Sequence, residues 1–157
     1  MTDYRVLNEQ LRALCAGEGE NPAGVLANAA ALLKQTTGWF WIGFYMVHDD
    51  ELWLGPFQGP VACSRIAYGR GVCGTSWREG RTIVVPDVEE FADHIACSSE
   101  SRSEIVVPIV ADGRVAGVLD IDSTELNAFT SSDAEGLESF CAVLSDLLYG
   151  KEQFECK

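Results

Sequence analysis

A chain of 157 residues with 47% hydrophobic and 22% charged side chains is sized for one compact domain and is too apolar to stay disordered. With 24 acidic against 11 basic side chains, its net charge of −13 repels phosphate backbones and anionic lipid, so neither nucleic acid nor a membrane surface is expected as a partner. No apolar run nears the roughly 18 residues of a membrane span. The start, MTDYRVLNEQ, lacks the basic and then apolar pattern of a secretion signal, so a cytoplasmic protein is expected.

Leu7, Leu11, Leu14 and Cys15 recur at helical spacing over 5–16, with Gly17 placed to stop the helix. Asn21-Pro22 opens a second helix, Pro22 sitting where the first turn tolerates it, and the run continues through Ala31, Leu32 and Leu33. WFWIGFYMV at 39–47 is aromatic, β-branched and wholly apolar, the mark of a buried strand. His48-Asp49-Asp50 turns it into a second strand, Glu51–Gln58, and the two form a hairpin. A short strand is expected near Arg65–Tyr68, and Gly71-Val72-Cys73-Gly74-Thr75 starts a short helix that ends near Gly80. Thr82–Val85 makes another strand, closed by Pro86; residues 87–103 are polar and irregular, with one helical turn. Ser103–Ala111 and Arg114–Asp122 form a second hairpin about Asp112-Gly113. Thr130-Ser131-Ser132-Asp133 caps a long helix whose Leu137, Phe140, Cys141, Leu144 and Leu148 share one face. Helices at both ends of a mostly antiparallel central sheet define an α+β domain spanning 1–157.

Six cysteines, at 15, 63, 73, 97, 141 and 156, need sorting. There is no CxxC and no His/Cys cluster at zinc spacing, so no structural zinc site is expected. Cys15 and Cys141 lie on apolar helical stripes and read as core, while Cys156 sits in the tail. Cys63, Cys73 and Cys97 fall in or beside the irregular segments, where long connections usually carry function. Cys73, at a helix N-terminus, has the simplest argument for a lowered pKa. Cys97 has His94 and Arg102 in its own loop, a weaker case of the same kind, and spacing does not choose between the two thiols.

The acids say more. Asp120 and Asp122 stand two apart on a strand and so share a face. Pairing about the 112–113 turn joins residues summing to about 225, which aligns Glu104 with Leu119–Asp122. Three carboxylates then converge at one end of the sheet. Crowded carboxylates cannot all ionise, so one keeps a proton near neutral pH while the others hold a cation such as an ammonium. Thiol, proton donor and ammonium holder together point to a small amino-acid-like substrate reduced or substituted by a cysteine.

The strings WIGFY (41–45), LGPFQG (54–59), AC (62–63), GRGVCGT (69–75), HIAC (94–97), SEIVVP (103–108) and GVLDIDS (117–123), with FTSSDAEGL further on, resemble the free methionine-(R)-sulfoxide reductases. These are stand-alone GAF-domain enzymes acting on the free amino acid. The resemblance covers nearly the whole chain and includes all three loop cysteines at spacings of 10 and 24 residues. It implies a GAF-like fold, Cys97 as nucleophile, Cys63 as resolving thiol in a Cys63–Cys97 disulfide, and Cys73 as an auxiliary thiol, against the helix-dipole argument. Glu104, Asp120 and Asp122 match the acids that hold substrate and move protons, and Trp41 and Tyr45 the aromatic walls around the methyl-sulfoxide end. Ile95 and Ala96 fall in the matched substrate-binding motif.

The implied chemistry passes through a Cys97 sulfenic acid and an intramolecular disulfide that thioredoxin resets, with no metal or other cofactor. A homodimer is a further expectation. Two rivals stay open at this point: a GAF module that binds a metabolite without turning it over, and a thiol switch without substrate.

Overall fold

A computed structural model of the chain describes residues 1–150, so Cys156 lies outside the described part. The helix ends follow local chemistry. Asp3 accepts the backbone N–H groups of Arg5 and Val6 at the start of α1 (Tyr4–Cys15). Asn21 accepts that of Gly24 at the start of α2 (Pro22–Thr37), which closes on Gly38 at φ 71°. Thr130 and Asp133 exchange hydrogen bonds in a capping box that opens α4 (Ser131–Tyr149). Between α2 and α4 come β1 (Trp41–His48), β2 (Glu51–Gln58), β3 (Arg65–Ala67), α3 (Gly71–Glu79) and β4 (Ile83–Val85). A single 3₁₀ turn at Val88–Glu90 follows, then β5 (Ser103–Ala111) and β6 (Arg114–Ser123).

The six strands form one sheet in the order β3-β2-β1-β6-β5-β4, with every recorded pairing antiparallel. Alternation along the strands sorts their side chains into two layers. Ile42, Phe44, Ile105, Val107, Ile109, Leu119 and Ile121 face α1, α2 and α4 and make the larger core with Leu7, Leu11, Leu33, Phe140 and Leu144. The opposite face carries Trp41, Tyr45, Val106 and Val118, covered by α3 and the long connections. Cys15 and Cys141 are buried in the first layer, as the helical stripes implied. Leu14, which shares their sequence spacing, is instead 50% exposed, because the buried stripe of α1 is carried by Leu7, Leu11 and Cys15 alone. No helix among the described residues is long and apolar enough to cross a membrane.

The hairpin β5–β6 differs from a plain count in one way that matters for the site. Ala111 pairs with Arg114 and Val110 with Val115, but Ile109 pairs with Gly117, leaving Ala116 as an extra residue in β6. Every later pair is moved by one, so Glu104 stands opposite Asp122 rather than Ile121. Opposed residues share a face, and a one-residue slip reverses it. The bulge therefore turns Glu104 toward the two aspartates instead of into the helical core.

Candidate active site

Three strands set the floor of the site. Trp41 pairs with Asp122, which pairs with Glu104, while Gly43 pairs with Asp120 in the next row. Gly43 has no room for a side chain: a Cβ there would lie 2.5 Å from the Trp41 ring and 2.4 Å from Phe57 Cβ. Trp41 stacks on Phe57 with ring centres 5.2 Å apart and lies 6.1 Å from Tyr45. Both aromatics are nearly fully buried and spend their polar atoms on one segment: the Trp41 indole N–H donates to the Pro60 carbonyl at 2.9 Å, and the Tyr45 hydroxyl to the Cys63 carbonyl at 2.8 Å. The strand thereby fixes where Cys63 sits.

Glu104 and Asp120 are buried and Asp122 partly so. Burial, with the Asp122 charge adding to it, pushes Glu104 up to about 8. Burial and then Glu104 raise Asp120 well above the carboxylate range, and burial and then Asp120 raise Asp122. Asp120 Oδ1 is buried with no hydrogen-bond partner. His94 brings Nε2 to 3.5 Å from Glu104 Oε1, and loss of water lowers its pKa even though Asp120 opposes this.

Cys73 occupies the first turn of α3, yet its thiol is pushed well above its ordinary range, first by burial and then by Asp120 and Glu104. The helix-dipole expectation of a thiolate is corrected here: one helix end does not offset lost hydration beside two carboxyl groups.

Over the acids lies the irregular 87–103 segment, tied at its ends by the Val88 N–H to the Arg102 carbonyl and the Arg102 N–H to the Ser123 carbonyl, and at its middle by one carboxylate and a disulfide. Asp93 accepts a two-pronged ion pair from Arg70 at 2.9 and 3.0 Å and the Gly71 N–H at 3.0 Å. Gly71 has φ +62°, and a Cβ on it would meet Ile95 Cδ1 at 2.9 Å, so any other residue there is strained and must push Ile95 aside. Four residues past Asp93, Cys97 is exposed and joined by a disulfide to half-buried Cys63, with Cα atoms 6.0 Å apart.

A cleft with a cavity volume of about 40 Å³ is lined by Cys97, Cys73, Glu104, Asp120, Asp122, Trp41, Tyr45 and Ile95. Of the residues singled out in the sequence, these meet in one place. Cys63 adjoins them through its disulfide, while Ala96 is exposed and outside the lining. Sequence spacing missed His94 as a neighbour of Glu104, and it missed the Arg70–Asp93 pair, whose partners lie 23 residues apart with no motif linking them. The positive-φ glycine beside Arg70 was the available signal.

The GAF domain family matches over residues 21–147, which makes this chain's fold a GAF domain. The GAF domain-containing protein A of Dictyostelium discoideum is 49% identical over 144 residues, 91% of this chain and 90% of that protein. The free methionine-R-sulfoxide reductase of Escherichia coli is 48% identical over 146 residues, 92% of this chain and 88% of that enzyme. The X-ray structure of free methionine-R-sulfoxide reductase from Neisseria meningitidis, in complex with its substrate, superposes with a TM-score of 0.92 at 49% identity, covering 98% of this chain and 95% of that one. The chain belongs to the free methionine-R-sulfoxide reductase family.

Proposed function

We propose that the protein reduces free methionine-(R)-sulfoxide, with Cys97 as nucleophile, Cys63 as resolving thiol and a carboxylic acid of the Glu104–Asp120–Asp122 group as proton donor. The observation that carries the reading is the meeting of Cys97 with three carboxyl groups in one cleft, one of them pushed up to about 8. A group poised there keeps its proton at neutral pH and can still release it. The unpartnered Asp120 Oδ1 offers an acceptor to the substrate ammonium. Trp41 and Tyr45 wall the methyl-sulfoxide end, and Ile95 closes the cleft from the loop.

In the dithiol form the Cys97 thiolate attacks the sulfoxide sulfur while the acid protonates its oxygen. The hydroxyl then passes from the substrate sulfur to the Cys97 sulfur as the bond between the two sulfurs breaks, so methionine leaves two electrons richer at sulfur and Cys97 becomes a sulfenic acid. The Cys63 sulfur then displaces that oxygen as water and forms the disulfide. A dithiol protein such as thioredoxin takes up the disulfide and restores both thiols. Cys73, held as a thiol in the same cleft, is the reserve partner for exchange.

The test supplies free methionine-(R)-sulfoxide with a dithiol reductant and measures methionine, with the S epimer and a methionine-sulfoxide peptide in parallel. Turnover of the free R epimer alone is the expected result. No methionine, or equal turnover of the peptide, overturns the assignment. In Cys63→Ser, one methionine per protein should form before the reaction stalls. Steady cycling of that variant with thioredoxin removes the resolving role.

A further inference from the structure

The reduction gives Cys73 only a reserve part in thiol exchange, yet its sulfur lies beside two of the carboxyl groups. Cys73 Sγ and carboxylate oxygens of Glu104 and Asp120 lie within 4.8 Å of one another, and all three residues are buried. Asp120, itself 7% exposed, keeps one oxygen with no hydrogen-bond partner. A buried acceptor in that condition has lost its water without replacement until a positive or donor group meets it. We propose that Cys73, Glu104 and Asp120 form a zinc site that competes with substrate for the same carboxylates.

The donor chemistry selects the metal. One thiolate and two carboxylates suit a borderline-soft cation of low coordination number, whereas magnesium and calcium demand six or more oxygens. Zinc bonds of about 2.0–2.3 Å place tetrahedral donors roughly 3.3–3.8 Å apart, so small side-chain rotations would close the group around the ion. The fourth position opens on the cleft, where a water or His94 can complete it; His94 Nε2 is already 3.5 Å from Glu104 Oε1. Binding expels the thiol proton and any proton held between the carboxyl groups, so occupancy rises with pH. Because the disulfide uses Cys63 and Cys97 and leaves Cys73 free, the site exists in the oxidised protein as well. Residues 73, 104 and 120 come from three separate elements, which is why no zinc spacing exists along the chain.

The metal site stands independently of the reductase reading; only its competition with substrate rests on that reading. Cobalt(II) serves as the probe, added to the full chain with its disulfide intact and with Cys156→Ser removing the terminal thiol. One equivalent should produce a thiolate-to-cobalt charge-transfer band and the intense visible bands of four-coordinate cobalt, and zinc should erase both. Cys73→Ala should lose the charge-transfer band, and Asp120→Asn should weaken binding by about tenfold or more. The Cys141→Ala variant, altered on the other face of the sheet, should keep the band. Absence of the band in the parent, or its survival in Cys73→Ala, overturns the proposal, and circular dichroism separates loss of binding from loss of fold. Free methionine-(R)-sulfoxide should displace the cobalt. Binding that is insensitive to it overturns the competition while the metal site stands.

Discussion

The two faces of the central sheet are made from alternate residues of the same strands and put burial to opposite uses. On one, Ile105, Leu119 and Ile121 meet the helices and hold the fold together. On the other, Glu104, Asp120 and Asp122 are taken from water among aromatics and a thiol, so burial destabilises their charged forms and tunes their chemistry. The teaching is that neighbouring positions on one strand separate stability from function, and substitution on each face should break only one of them. Cys97→Ser tests the functional side with the largest effect: methionine formation should fall at least about 10³-fold, as losses of a nucleophile do, with the unfolding transition of the reduced protein little moved. Residual activity above a tenth of the parent would leave Cys97 without its role.

On the core face, Ile121→Ala should remove about 2–5 kcal/mol of stability, read from the denaturant midpoint, while activity per folded molecule stays near the parent value. One step along the strand, Asp122→Asn should reverse the pattern, slowing reduction more than about tenfold with no comparable loss of stability. Similar stability losses for the two would mean that the faces are energetically alike and sink the comparison.

Sequence patterning showed the faces well and their register poorly. The helix caps, both hairpins and the apolar stripes carry local signals, and apart from exposed Leu14 these agree with the coordinates. The convergence of Glu104 with the aspartates was legible from the turn-centred count to within Leu119–Asp122, but the register that delivers it depends on Ala116 being extruded from the ladder, and alanine has no special backbone preference to announce a bulge. The raised pKa of Cys73 was equally hidden, since it comes first from burial and then from Asp120 and Glu104, 47 and 31 positions away, rather than from the helix that carries it. The hold on the loop, Arg70 to Asp93, joins residues whose spacing resembles that of any surface ion pair.

Acid titration sharpens the comparison further. Glu104 holds its proton up to about pH 8 in the folded protein, whereas in the unfolded chain the group loses it near pH 4.5. Between these values the folded state binds more protons than the unfolded one, so stability is fully present below about pH 4.5 and declines as pH rises toward 8. Asp120 and Asp122, also raised, act in the same direction. Glu104→Gln carries no charge at any pH, so its denaturant midpoint should vary less between pH 5 and 8 and should gain on the parent at the upper end. Parallel curves for the two proteins would put Glu104 outside the buried cluster.

The smallest effect concerns the loop hold. Arg70 and Asp93 are each about half exposed, at 60% and 46%, so water and salt screen their attraction and it contributes little to stability. Asp93→Asn keeps an oxygen for the Gly71 N–H and loses the charge alone. If the pair biases the loop toward the closed cleft, its loss should raise KM about two- to fivefold with kcat nearly unchanged, because the loop would reopen before chemistry rather than during it. High salt should move the parent toward the variant and leave the variant unmoved. Gly71→Ala acts on the same contact without charge: it forces a side chain against Ile95 at φ +62°, so its KM increase should be larger and indifferent to salt. A salt-insensitive parent together with an unchanged Asp93→Asn would leave the glycine contact, rather than the ion pair, as what seats Cys97 over the acids.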